Sequence, residues 1–157
     1  MTTYDFQQLL FVFSFLFMVM DGTIRPKEME LNKQIFSKIE MEEEIPYETM
    51  TTMFIVNLKE NPTNMIKEHL QTLDDIPFTD EEKTEFLETA YDMIHADNMI
   101  HPSEWEFLLL AKNKLGITDA DFKKEFKEFS VEDKTISKNP EFLDEFLNSL
   151  DFSRLGE

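Results

Sequence analysis

Asp21-Gly22-Thr23-Ile24-Arg25-Pro26-Lys27-Glu28-Met29-Glu30 and Asp97-Asn98-Met99-Ile100-His101-Pro102-Ser103-Glu104-Trp105-Glu106 are two versions of one ten-residue stretch. Asp, Ile, Pro and both Glu recur in register, with the second copy 76 residues after the first, about half the chain. Self-similarity at a fixed offset is the mark of a duplicated supersecondary unit. Gly22 and Asn98 hold the same place, and these residue types most readily adopt the positive φ that a sharp exit from a helix requires. Pro26 and Pro102 then sit where proline is favoured, at the first position of a following helix. Each copy therefore reads as helix, acidic turn, helix.

Upstream of the first copy, Leu9 to Met20 contains a single polar residue, Ser14. Bounded by Gln7, Gln8 and Asp21, the run falls short of the roughly 20 apolar residues of a membrane span. Its flanks also lack the positive leader and small-residue cleavage site of a signal peptide. A helix apolar nearly all round belongs in the middle of a core. Further starts are marked by Pro46, Pro62 and Pro140 and by a Thr79/Glu82 capping box, while Gly116 stops one helix before Thr118 opens the next. In the segment after Thr79, the residues Phe86, Leu87, Ala90, Tyr91, Met93 and Ile94 recur at helical spacing.

The pattern predicts helices over about 4–20, 26–41, 46–59, 63–74, 80–96, 102–115, 119–129 and 140–150. A loop is expected over Ser130 to Asn139, with fraying after Leu150. The expectation is an all-α fold: one helical bundle domain over 1–157, of about eight helices, with an internal pseudo-two-fold repeat. The repeat units fall at about 4–75 and 79–150, and Leu9–Met20 and Phe86–Ile94 form the central helices.

Composition narrows the function classes. A chain of 157 residues is long enough for a sizeable core without staples. Cysteine is absent, which removes disulfides, thiolate ligands and cysteine nucleophiles and suits a cytoplasmic location. A formal charge of −18 repels phosphate backbones and anionic lipid, so neither nucleic acid nor membrane insertion is expected. Such a field attracts cations or a basic protein surface. Three Gly and six Pro leave little room for a turn-rich β fold.

The acidic turns carry the candidate chemistry. Asp21 with Glu28, and Asp97 with Glu104, are seven apart across a tight corner, which can aim both carboxylates at one point. Hard cations such as Ca²⁺, Mg²⁺ or Mn²⁺ take oxygen ligands of this kind. The EF-hand pattern is not met, because Thr23, Arg25 and Asn32 fall at its third, fifth and twelfth positions, as do Met99, His101 and Leu108 in the second copy. The competing reading is structural: Glu28 and Glu104 stand at the third helical position, where a carboxylate caps backbone N–H groups, while Asp21 and Asp97 close their own turns. Ile24 and Ile100 would pin the corners to the core, and Glu30 and Glu106 would be solvated. His95, Asp97 and His101 include zinc-type ligands but no fourth, so surface or capping histidines are expected. No phosphate-binding loop or nucleophile set is present, and the protein is read as not an enzyme.

The alternative is a protein-interaction module. Sixteen Phe and ten Met include two helical stripes, Tyr47/Met50/Met53/Phe54 and Phe122/Phe126/Phe129, which are core or, if exposed, a surface for a protein partner. Trp105 is expected to be at least partly buried.

Two Asp-Gly-x-Ile-x-Pro-x-Glu-like turns in a small acidic helical chain resemble the TerB tellurite-resistance family and the related N-terminal domain of DjlA-type co-chaperones. The resemblance spans the chain through the duplicated plan, although its specific letters lie in the two turns. It implies a bacterial, cytoplasmic, helical domain tied to stress and tellurium-oxyanion resistance, with Asp21, Glu28, Asp97 and Glu104 as metal ligands. The turns depart from a purely acidic set in carrying Arg25, Lys27 and His101. No J domain accompanies them.

Overall fold

A computed structural model describes residues 6–41 and 43–156 and is all-α. Among the described residues there are nine helices: α1 (Phe6–Val19), α2 (Pro26–Ser37), α3 (Tyr47–Glu60), α4 (Pro62–Asp75), α5 (Asp80–Ile94), α6 (Pro102–Leu115), α7 (Asp119–Glu125), α8 (Val131–Ser137) and α9 (Phe142–Ser149). They share one core. From Leu9 to Met20 every side chain except Val12 is buried, so α1 is the axis of the bundle, packed on α2, α5 and α6. Aromatic rings join these layers: Phe13 meets Phe86 of α5 at 5.4 Å between centroids, and Phe107 of α6 stacks on Phe13 at 6.0 Å and on Phe146 of α9 at 6.2 Å.

The one polar residue within that apolar run is satisfied by a network. Ser14 donates to the Phe11 carbonyl at 2.8 Å and accepts from the Asn32 amide at 2.8 Å, while the Tyr47 hydroxyl donates to Asn32 Oδ1 at 2.6 Å. All three side chains are buried, and burial pushes the Tyr47 phenol up to about 12. An unpaired hydroxyl at the centre of α1 would cost about 1–3 kcal/mol, so α2 and α3 are tied to α1 by chemistry as well as by apolar contact.

Helix starts follow the expected punctuation. Pro26, Pro62 and Pro102 occupy first-turn positions, the Thr79/Glu82 capping box is formed in both directions, and Gly116 ends α6 at φ +67°. Four expectations are corrected. The region 130–139 is not a loop: Ser130 and Asp133 form a second capping box that opens α8, so the helix count rises to nine. Helix α2 stops at Ser37 and α7 at Glu125, earlier than the apolar periodicity suggested. Beyond Leu150 the chain is packed rather than frayed, with Phe152 and Leu155 buried and Lys59 Nζ donating to the Leu155 carbonyl at 2.8 Å. Glu106 is half-buried, and burial raises its carboxyl above the ordinary value, whereas Glu30 is exposed.

A paired-turn carboxylate centre

The two turns adopt one conformation. Gly22 and Asn98 both have positive φ, +84° and +62°, and each N–H donates to the carbonyl three residues back, Val19 and His95. Asp21 Oδ1 accepts from the Thr23 N–H at 3.3 Å, and Asp97 Oδ1 accepts from the Met99 N–H at 3.2 Å, so each aspartate closes its own turn. Arg25 and His101 are the equivalent residues preceding Pro26 and Pro102, both extended, at the N-termini of α2 and α6. Gly22 is further constrained. A Cβ there would lie 2.5 Å from the Asp151 carbonyl oxygen, because the segment after α9 crosses the first turn. That crossing explains glycine in the first copy where the second tolerates asparagine.

The four predicted carboxylates converge, and they converge on Arg25. Its Nη1 lies 2.6 Å from Asp21, 3.4 Å from Glu28 and 4.0 Å from Glu104, while Nε lies 3.2 Å from Asp97. His101 makes the reciprocal set: Nε2 is 2.9 Å from its own Asp97, and Nδ1 is 3.6 Å from Asp21 of the other turn. Each turn thus reaches across to the aspartate of its counterpart.

Glu28 and Glu104 are not caps. Both are buried, 1% and 0% exposed, and neither α2 nor α6 has a side-chain cap hydrogen bond from its N-cap residue. Glu28 Oε2 and both oxygens of Glu104 are buried with no donor in reach. Burial, foremost, raises the carboxyls of both residues, and in Glu104 the neighbouring Glu28 charge raises it further. Two ionised carboxylates cannot hydrogen-bond each other. Crowding two carboxyls in a buried site favours the neutral form over a second charge, the direction in which both are shifted. Asp97 goes the other way: burial opposes ionisation, but His101, the Met99 N–H and Arg25 together hold its carboxyl below the ordinary value. Arg25 is likewise held charged, burial being outweighed by Asp21 and Glu28.

Ligand atoms of Asp21, His101 and Glu104 lie within 4.8 Å of one another, a spacing that can hold a metal ion. Glu28 and Asp97 border this trio through Arg25. The spatial trio therefore differs from the sequence-predicted set by including His101, which sequence reasoning had treated as a foreign charge. Of the zinc-type grouping, Asp97 and His101 meet at 2.9 Å, whereas His95 lies apart, stacked on Tyr91 at 4.1 Å and facing Glu128 at 3.6 Å. Trp105, next to Glu104, is partly buried and donates to Asp133 at 3.2 Å.

Fold and site together define an all-α bundle with a buried, mixed-charge carboxylate centre between two like turns. Among the described residues no helix is long and apolar enough to cross a membrane. Comparison with protein-family models, with curated proteins and with solved structures finds no match.

Proposed function

We propose that this protein is a non-catalytic, TerB-like domain that binds a divalent cation between its two turns, with Asp21, Glu104 and His101 as the first ligands and Glu28 and Asp97 beside them. The observation that carries the reading is the burial of Glu28 and Glu104 with three carboxylate oxygens that no donor reaches. Buried carboxylates without hydrogen bonds are costly, and a fold keeps them most readily where a cation can neutralise them. A structural pair would have been better served by amides or apolar side chains.

Arg25 is then a tethered competitor. Its guanidinium pairs with Asp21, Glu28 and Asp97, stands 4.0 Å from Glu104, and supplies the positive charge in the metal-free state. An entering cation has to displace that contact, which makes affinity modest. An imidazole among carboxylates favours Mn²⁺ or Zn²⁺ over Ca²⁺, whose ligands are oxygens. The TerB resemblance supports the wider reading of a bacterial stress-response component. Sensitivity of a strain lacking the protein to metal and tellurite tests that part.

The direct test is titration of Mn²⁺, Zn²⁺, Ca²⁺ and Mg²⁺ while recording melting temperature and Trp105 fluorescence. An ion that binds only the folded state at tenfold its Kd adds about 1.4 kcal/mol of stability. The paired change Asp21→Asn with Asp97→Asn keeps turn-closing side chains and should abolish that gain while the metal-free protein stays folded. No melting shift with any of the four ions at millimolar concentration refutes the proposal.

A further inference from the structure

An apolar hollow lies between α1, α2 and α3, lined by residues that take no part in the carboxylate centre. Its volume is about 230 Å³, and its lining includes Phe11, Val12, Phe36, Ile39, Met50 and Phe54. Through Phe36, Ile39 and Met41 it adjoins a wider hollow of about 640 Å³ with a mixed lining, where Lys33, Ser37, Glu40 and Glu44 stand beside Ile45, Pro46 and Tyr47. On α3 the stripe of Met50 and Phe54 continues one step to Met53, three residues from Met50 and 52% exposed. A scattered exposed apolar side chain needs no explanation, but one that extends the lining of an apolar hollow does.

The rim has a definite sign. Glu40 and Glu44 line the wider hollow with Lys33, and Glu43, Glu48 and Lys38 are exposed next to lining residues in the chain, Lys33 being 3.7 Å from Glu48. A second copy of this chain would bring the same acidic rim against itself, on a molecule of charge −18, and an anionic lipid surface would be repelled likewise. A helical partner satisfies both features, since grooves of this type read apolar anchors at i, i+3 or i+4 and i+7, and methionine adapts to their shape. We propose that the apolar hollow docks a cationic amphipathic helix of a partner protein, with its apolar face on Phe36, Met50 and Met53 and its Lys or Arg side chains on Glu43, Glu44 and Glu48.

The probe is a fluorescein-labelled synthetic helix of leucine and lysine, with leucines at helical spacing, followed by anisotropy at physiological salt. A scrambled peptide of the same composition and a glutamate-for-lysine version serve as comparisons. The expected result is saturable one-to-one binding in the micromolar range, weakened about tenfold by Met53→Glu or by scrambling, weakened by the pair Glu43→Lys with Glu44→Lys, and absent for the acidic peptide. These positions are exposed, and circular dichroism with thermal melts confirms that the variants fold. Three results would overturn the proposal: no saturation, more than one peptide per protein, or equal affinity for the scrambled peptide or the Met53→Glu variant. The last would mean attraction to the acidic surface alone.

Discussion

Replacing Glu104 by Gln should stabilise the metal-free protein above neutral pH and abolish its response to metal. In the folded state the Glu28/Glu104 pair keeps a proton that the unfolded chain releases above the ordinary glutamate value of 4.5. A carboxyl raised by folding contributes stability that is fully present below 4.5 and lost as pH rises toward the folded value, which for Glu104 is about 10. One retained proton costs about 1.4 kcal/mol per pH unit, or about 4 kcal/mol between 4.5 and pH 7.5. An amide carries no such cost, and neutral replacement of buried charge commonly gains about 1–4 kcal/mol. Allowing for imperfect amide hydrogen bonding, E104Q should gain about 1–3 kcal/mol at pH 7.5, roughly 3–10 °C in a chain of this size, and converge on the parent near pH 5. Thermal melts across pH 5 to 8, with and without Mn²⁺, measure all three effects. A variant less stable than the parent at pH 7.5, a difference independent of pH, or a preserved Mn²⁺ shift would each refute the reasoning.

Three further outcomes are expected. Arg25→Gln removes the guanidinium that pairs with Asp21, Glu28 and Asp97 beside Glu104, so the metal-free protein should lose about 2–4 kcal/mol at pH 7.5 and show a larger Mn²⁺-induced melting shift than the parent. Gly22→Ala adds a Cβ against the Asp151 carbonyl at φ +84° and should cost about 2–4 kcal/mol in urea denaturation, whereas Asn98→Ala should cost only about 1. Tyr47→Phe withdraws the donor to buried Asn32 Oδ1 and should cost about 1–2 kcal/mol without altering the metal titration.

The all-α architecture was legible because its markers are local. The repeated turn set the corners, proline set three first turns, and the Thr79/Glu82 box set α5. Ser130 and Asp133 make the same kind of box with a shorter acid, and only seven residues follow in α8, too few for an apolar period to show. The packing of Phe152 and Leu155 was hidden for a similar reason, since two apolar residues in a polar stretch have no periodicity and their partners are distant in sequence. At the centre, the four carboxylates could be named from the repeat, but not their state. A glutamate in the first turn of a helix is placed equally well to cap it or to point into a core. The turn-to-turn approach that buries Glu28 and Glu104 and inserts Arg25 between them is a tertiary event. Its trace in the sequence was the equivalence of Arg25 and His101, two cationic or titratable residues at one repeat position.

The segment that crosses Gly22 has a consequence for synthesis on the ribosome. α1 and the first turn emerge early, yet the turn's final neighbour, the Asp151 carbonyl, and the Phe152 and Leu155 side chains that hold it are translated more than a hundred residues later. α1 also waits for α5 and α6 before its apolar surface is covered. A chain cut before residue 151 would keep every carboxylate of the centre yet leave the first turn without its Asp151 neighbour and without the buried Phe152 and Leu155.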